Sequence, residues 1–178
     1  MPGSSPITHR SFLSYIDRTP NFYAAPGYPN PYRWAHHSDV PFTPLSKPLS
    51  ESRITIITTA SPFHSQDGSE EDVRESAGGS HREVKQVWSG ETERTPDRLY
   101  TDDLAWDREN THTDDVESFV PLAALRSLIG DGRIGSLAKR FHGVPTDYSQ
   151  RRTLEQDAPE ITARCHEEAV DIALLVPL

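Results

Sequence analysis

The chain of 178 residues contains one cysteine, Cys165. An internal disulfide framework is therefore excluded, and the usage suits a reducing compartment. Basic residues are in the minority, 18 against 27 acidic ones, for a formal charge of -9. No basic patch with interleaved aromatics offsets this, so nucleic acid and anionic membrane surfaces are disfavoured as partners. No apolar leader opens the sequence, and no apolar run is long enough to span a bilayer. The expectation is a soluble, cytoplasmic protein without membrane contact. Hydrophobic residues make up only 34%, and mean hydropathy is -0.64. Such values imply much loop or an incomplete core. Phosphate-binding glycine motifs and the Gly-x-Ser-x-Gly nucleophile turn are both missing. No paired His or Cys falls at a recognised metal spacing. No cofactor or metal is expected within the chain.

What is present divides in two. Residues 1–50 hold a proline- and aromatic-rich stretch that cannot form a long helix. Tyr23, Tyr28, Tyr32 and Trp34 are too many aromatics for a disordered tail. Residues 1–50 are expected to be a long irregular arm that wraps a core, its own or a partner's. Residues 51–178 read as an α/β domain. Residues 52–60 are β-branched throughout and predict a strand ended by Ser61-Pro62. Residues 64–83 predict a polar loop; residues 84–88 and 99–101 suggest short strands. A helix follows, with Ser118 as N-cap, Pro121 near its first turn, and Leu122, Leu125, Leu128 and Ile129 at helical spacing. Gly130-Asp131-Gly132 ends it, and residues 134–141 predict a short second segment. Thr153-Leu-Glu-Gln156 has the form of a capping box. Leu154, Ala158, Ile161, Cys165 and Ala169 would then share one helix face. The last eight residues, from Asp171, read as a buried strand needing cover on both faces. The pattern predicts a partial parallel-sheet, Rossmann-like α/β domain, incomplete at its carboxyl end.

The densest polar cluster is Trp106-Asp-Arg-Glu-Asn-Thr-His-Thr-Asp-Asp115. His112, Asp114 and Asp115 are candidate site residues, of ligand types that can meet one ion or orient a substrate. The competing reading is a loop whose Asp and Thr residues cap the following helix. His36-His37 with Asp39 is a weaker candidate, because neighbouring side chains in extended chain point apart. Cys165 reads as a small hydrophobe on a helix face rather than a nucleophile. His142 and Tyr148 fall in a Gly- and Pro-bearing stretch that either lines a site or connects helices.

Four segments resemble a known family. They are Asn110-Thr-His-Thr-Asp-Asp-Val-Glu-Ser-Phe-Val-Pro-Leu122 with Leu125-Arg126, Gly132-Arg-Ile-Gly-Ser-Leu137, Asp171-Ile-Ala-Leu-Leu-Val-Pro177, and the strand from Arg53 to Ala60. Together with Phe12-Leu-Ser-Tyr-Ile-Asp17 they are similar to the selenoprotein B family. Its members are the B-type subunits of glycine, sarcosine and betaine reductase and of D-proline reductase. The resemblance implies reductive cleavage of a carbon–nitrogen bond in an amino-acid-like substrate, with a selenocysteine or cysteine attacking the substrate carbon. It also implies other reductase subunits as partners. In D-proline-reductase-like members the redox residue follows a strand like residues 170–177. Here the sequence ends at Leu178, so the expectation is a chain that stops just before that residue, at a selenocysteine codon or by truncation. His112, Asp114 and Asp115 would then play supporting roles. The alternative expectation is a non-catalytic subunit that docks a partner or self-associates. A metal-dependent hydrolase built on the His112 cluster is a more distant third.

Overall fold

The computed structural model describes residues 27, 35–40, 43–63, 86–100, 114–145 and 149–177. The expectations for the aromatic arm before residue 35, the 64–83 loop, His112 and Tyr148 fall outside them. The chain divides into two units, Met1–Phe42 and Thr43–Leu178. In the first, His36, His37 and Asp39 are all exposed.

The second unit is built around β1 (Arg53–Thr58). Its Ile-Thr-Ile-Ile run suits a strand with neighbours on both sides. On one side it pairs in parallel with β7 (Ile172–Val176), from Ile54↔Ile172 to Thr58↔Val176. On the other it pairs in parallel with β5 (Ser136–Leu137) along its first half, and with β6 (Arg140–Gly143) along its second. β5 and β6 thus act as one interrupted strand. β3 (Trp88–Glu91) adds antiparallel to β6. A separate antiparallel pair joins β2 (Ser61–Phe63) to β4 (Arg98–Tyr100). The result is an α/β fold with a mixed, mostly parallel sheet.

The expected strand at 52–60 is therefore present as β1. The segment at 134–141 is not one element but the two short strands β5 and β6. Its backbone N–H groups bond to β1 and its approach: Gly135 to the Leu49 carbonyl, Ser136 to Ser52, Ala138 to Ile54. Pairing with β1 overrides the local preference of Leu-Ala-Lys-Arg. The strand expected at 84–88 begins at Trp88 and runs on to Glu91.

Strand alternation separates two faces. One carries the apolar core: Ile54, Ile56 and Phe141 pack with Val120, Leu122, Leu125 and Ile134, and Ile172, Leu174 and Val176 line its margin. Leu122 and Leu125 come from α1 (Leu122–Gly130), which covers this face. The other face is crossed by a helix in three parts. They are α2 (Gln150–Arg152), one π turn (Thr153–Asp157) and α3 (Ala158–Glu167).

Two expectations about that helix are corrected. Ser149, not the Thr153 box, caps it: the Ser149 hydroxyl accepts from Arg152 N–H at 3.3 Å. Thr153 instead donates its hydroxyl to the Ser149 carbonyl at 3.1 Å. The wider π turn also changes the phase of the apolar stripe. Leu154 is 66% exposed, whereas Asp157 is buried and paired with Arg152 at 3.6 Å. Ile161 is buried as expected, but Ala158 is exposed, Cys165 is only half-buried, and Ala169 lies past the helix end.

The last strand also differs from expectation. It is not buried on both faces: Ile172, Leu174 and Val176 are half-buried, while Ala173 and Leu175 are exposed. It pairs with β1 alone among the described residues, so its outward residues have no covering layer there.

Candidate functional site

The three long parallel partners end together. Thr58 stands opposite both Gly143 and Val176. In open α/β sheets the carboxyl ends of parallel strands are where ligands bind. One residue inside this edge, Ile57 is flanked by His142 and Leu175, and His142 is in turn opposite Ser89 of β3. Alternation turns His142 and Ser89 away from Phe141 and toward α3.

A polar cluster forms there. Ser89 Oγ lies 2.8 Å from His142 Nδ1. Arg164 Nη1, from α3, donates to the same Ser89 Oγ at 2.6 Å. Arg164 Nη2 donates to the Val87 carbonyl at 3.2 Å and pairs with Glu160 one turn earlier. Arg164 uses one lone pair of the hydroxyl, and with Ser89 O–H donating to Nδ1 the hydroxyl proton has an acceptor. The imidazole proton then sits on Nε2. His142 is 0% exposed, and its Nε2 has no hydrogen-bond partner among the described residues. Burial, together with the charges of Arg140 and Arg164, pushes the imidazole below its ordinary value. Neutral His142 is the form the site favours.

Next along the same face, Arg140 is held by Glu168 and by Glu167. Glu168 also accepts the Lys139 N–H at 2.7 Å and the Arg140 N–H at 3.2 Å. The carboxylate thus ties the end of α3 to the junction of β5 and β6. Arg53 completes the frame: its guanidinium donates to the Glu168 carbonyl, and its N–H donates to Asp171 at 2.7 Å. Lys47 pairs with Asp171 at 2.7 Å.

Of the sequence candidates, Asp114 and Asp115 are exposed. Asp115 caps the 3-10 turn Val116–Ser118. Its carboxylate accepts from Glu117 N–H at 3.2 Å and from the Ser118 hydroxyl at 2.7 Å. Ser118, expected as the N-cap of the following helix, is thus a donor to Asp115. The α1 amides are met by Glu117 instead, which accepts from Ala123 at 2.9 Å and Ala124 at 3.2 Å. No group of three His, Cys, Asp or Glu is placed to hold a metal ion among the described residues. Cys165 is not an activated thiol: burial and then Glu168 raise it, with Arg140 opposing.

His142 was expected in a loop that either lines a site or connects helices; it belongs to β6 instead. Ser89 and Arg164 carried no signal in the sequence, since Arg164 with Glu160 reads as a solvent-facing pair at helical spacing. The β3–β6 register brings Ser89 to His142, and the crossing of α3 brings Arg164. Comparison with known protein families, with characterised proteins and with solved structures finds no match.

Proposed function

We propose that the chain is a B-type-subunit-like oxidoreductase component of the glycine, sarcosine, betaine and D-proline reductase class. It would act in reductive cleavage of the carbon–nitrogen bond of an amino-acid-like substrate, with other reductase subunits as partners. One observation supports the reading: three of the segments similar to that family are neighbours. They are β1, the Gly132–Leu137 stretch that ends in β5, and the stretch from Asp171 that forms β7. A shared, contiguous platform is what a common fold would require of scattered similar segments. In this reading the attacking selenolate or thiolate comes from a group other than Cys165, whose thiol is held protonated. His112, Asp114 and Asp115 orient the substrate or a proton donor.

The test is calorimetric binding of glycine, sarcosine, betaine and D-proline to the full chain. It is followed by an anaerobic assay of amine release or ring opening with a dithiol reductant and purified partner subunits. Binding of one of the four, weakened by His112→Ala in a chain of unchanged melting temperature, supports the reading. No binding of any of them overturns it.

A second reading rests on a different observation. Leu175 on β7 is 70% exposed, beside exposed Ala173. An apolar outer face on a strand with one described neighbour is a template for pairing with another chain. This supports a non-catalytic interaction role. Light scattering over a concentration series tests it: association abolished by Leu175→Lys supports docking through β7, and a monomer at all concentrations removes self-association.

A further inference from the structure

We propose that the Ser89–His142–Arg164 contact is a proton-operated latch: uptake of one proton by His142 breaks the Ser89 bridge and releases α3 from the sheet. A single hydroxyl joins three elements, β3, β6 and α3. It accepts from Arg164 at 2.6 Å and meets His142 Nδ1 at 2.8 Å. In that arrangement Nδ1 is the acceptor of the Ser89 proton. Once the ring is protonated, both nitrogens carry hydrogen. Imidazolium and guanidinium then direct N–H groups at one oxygen, and the hydroxyl proton loses its acceptor.

The surroundings do not favour the cation. From β6, Arg140 adds a second positive charge, and the imidazole has no exposed surface through which water could solvate it. From β3 the facing group is the neutral Ser89, and from β1 it is Ile57. From α3 and its end come Arg164, Cys165, Glu160, Glu167 and Glu168. The carboxylates are engaged: Glu160 with Arg164, Glu167 and Glu168 with Arg140. Nε2 already lacks a partner among the described residues, so a charged ring would be buried with one donor unmet, an arrangement that costs several times a neutral contact. Opening of α3 relieves all of this by admitting water.

The sign follows from linkage. A histidine whose folded value lies below its ordinary 6.5 binds fewer protons in the closed form. The closed form is therefore fully stable above the ordinary 6.5 of the opened form and weakens as pH falls from there toward the folded value. The slope for one proton is about tenfold in the opening equilibrium per pH unit.

Cys165 on α3 is the natural reporter, as the one cysteine of the chain. The experiment measures its reaction with a dipyridyl disulfide between about pH 7 and pH 5, corrected for thiolate fraction against a small thiol. This window lies above the range in which Glu168, held below 4.5, titrates. In the wild type the corrected rate is expected to rise by about tenfold per pH unit below the onset, with near-ultraviolet dichroism retained. In His142→Gln, which keeps a neutral hydrogen-bonding group, the rise is absent. A flat wild-type profile, the same rise in folded His142→Gln, or loss of tertiary dichroism in the same window overturns the latch. Imidazole nitrogen shifts of the wild-type chain decide the matter if His142→Gln does not fold. A neutral ring with the proton on Nε2 at pH 6.5, charging in step with the Cys165 rate, supports the latch. A ring already charged there overturns it.

Discussion

The Trp88 indole lies directly over Gly143: a methyl group on Gly143 would come within 1.9 Å of the ring. The relation is reciprocal two pairs along, where the Phe141 ring lies over Gly90, 2.7 Å from the position of a Cβ. The two rings meet edge to face with centroids 5.6 Å apart. Each glycine in the β3–β6 ladder is thus the space into which the facing strand's aromatic folds. Gly143→Ala is expected to destabilise the chain by roughly 1–3 kcal/mol, the range for overpacking. A Trp88→Leu background should return part of that loss. Urea titration of the two single variants and the double variant measures the coupling.

Ala169 and Gly132 hold equivalent places. Each follows a helix in the left-handed region, at φ 52 and φ 70 respectively. The bonding is the same in both: Val170 N–H to the Cys165 carbonyl and Ala169 to His166, Arg133 to Leu128 and Gly132 to Ile129. Glycine adopts this conformation freely, whereas alanine is strained in it by roughly 1–2 kcal/mol. Ala169→Gly is therefore expected to stabilise the fold, by somewhat less than that strain because glycine also gains freedom in the unfolded chain. A rise in denaturation midpoint checks it; a fall would show that the turn carries no strain.

The elements legible in the sequence were those with strong local signals. β1 is β-branched throughout, and α1 has its apolar spacing and its Gly132 stop. The strand at the end of the chain was visible from Ile172 to Val176, but its alternation of half-buried and exposed positions was masked by a composition apolar on both faces. β5 and β6 were hidden because Leu137, Ala138 and Lys139 have no strand pattern of their own; they are ordered by hydrogen bonds to residues some eighty positions earlier. The π turn at 153–157 defeated the capping-box reading, because a phase change inside a helix leaves no compositional mark. For the candidate site, His142 was noticed but Ser89 and Arg164 were not. Their meeting depends on register and on a helix crossing, and neither is written in local spacing.

Glu168 fastens the end of α3 to the sheet, and acid should undo it. Burial pushes its carboxyl up, but the Arg140 side chain and the Arg140 and Lys139 amides outweigh burial and hold it below its ordinary 4.5. A carboxylate lowered in the fold contributes stability that is complete above 4.5 and is lost as pH falls through the folded value. Glu168→Gln is expected to cost about 1.5–3 kcal/mol at neutral pH, the range for hydrogen bonds to a charged group. Its difference from wild type should shrink below pH 4.5. Thermal unfolding at neutral and acid pH gives both numbers, and a pH-independent difference would remove the charge from the account.

Asp115 and Glu117 separate a capping role from a chemical one. Loss of the Asp115 or Glu117 carboxylate should cost roughly 0.5–2 kcal/mol, as for other caps. Asp115→Asn retains an acceptor for the Glu117 amide and should recover much of that stability. If Asp115 also orients substrate, Asp115→Asn will melt near wild type yet bind the responsive amino acid more weakly. Paired melting and calorimetry on the same preparation distinguish the outcomes: matching recovery of both leaves Asp115 as a cap alone.

Cys165 bears directly on where a nucleophile comes from. The thiolate, not the thiol, attacks carbon. Burial and the neighbouring Glu168 raise this thiol above its ordinary 9.0, and Arg140 only partly opposes them. Alkylation of the folded chain with iodoacetamide should therefore show a midpoint above 9.0 and a rate below that of a free thiol near neutrality. Cys165→Ala should cost on the order of 1 kcal/mol, at the mild end of core truncation because the side chain is only half-buried. It should leave intact any reductase turnover measured with the partner subunits. Complete loss of turnover in a folded Cys165→Ala chain would instead make Cys165 the attacking group, and the proposal that another residue supplies the thiolate or selenolate would fall.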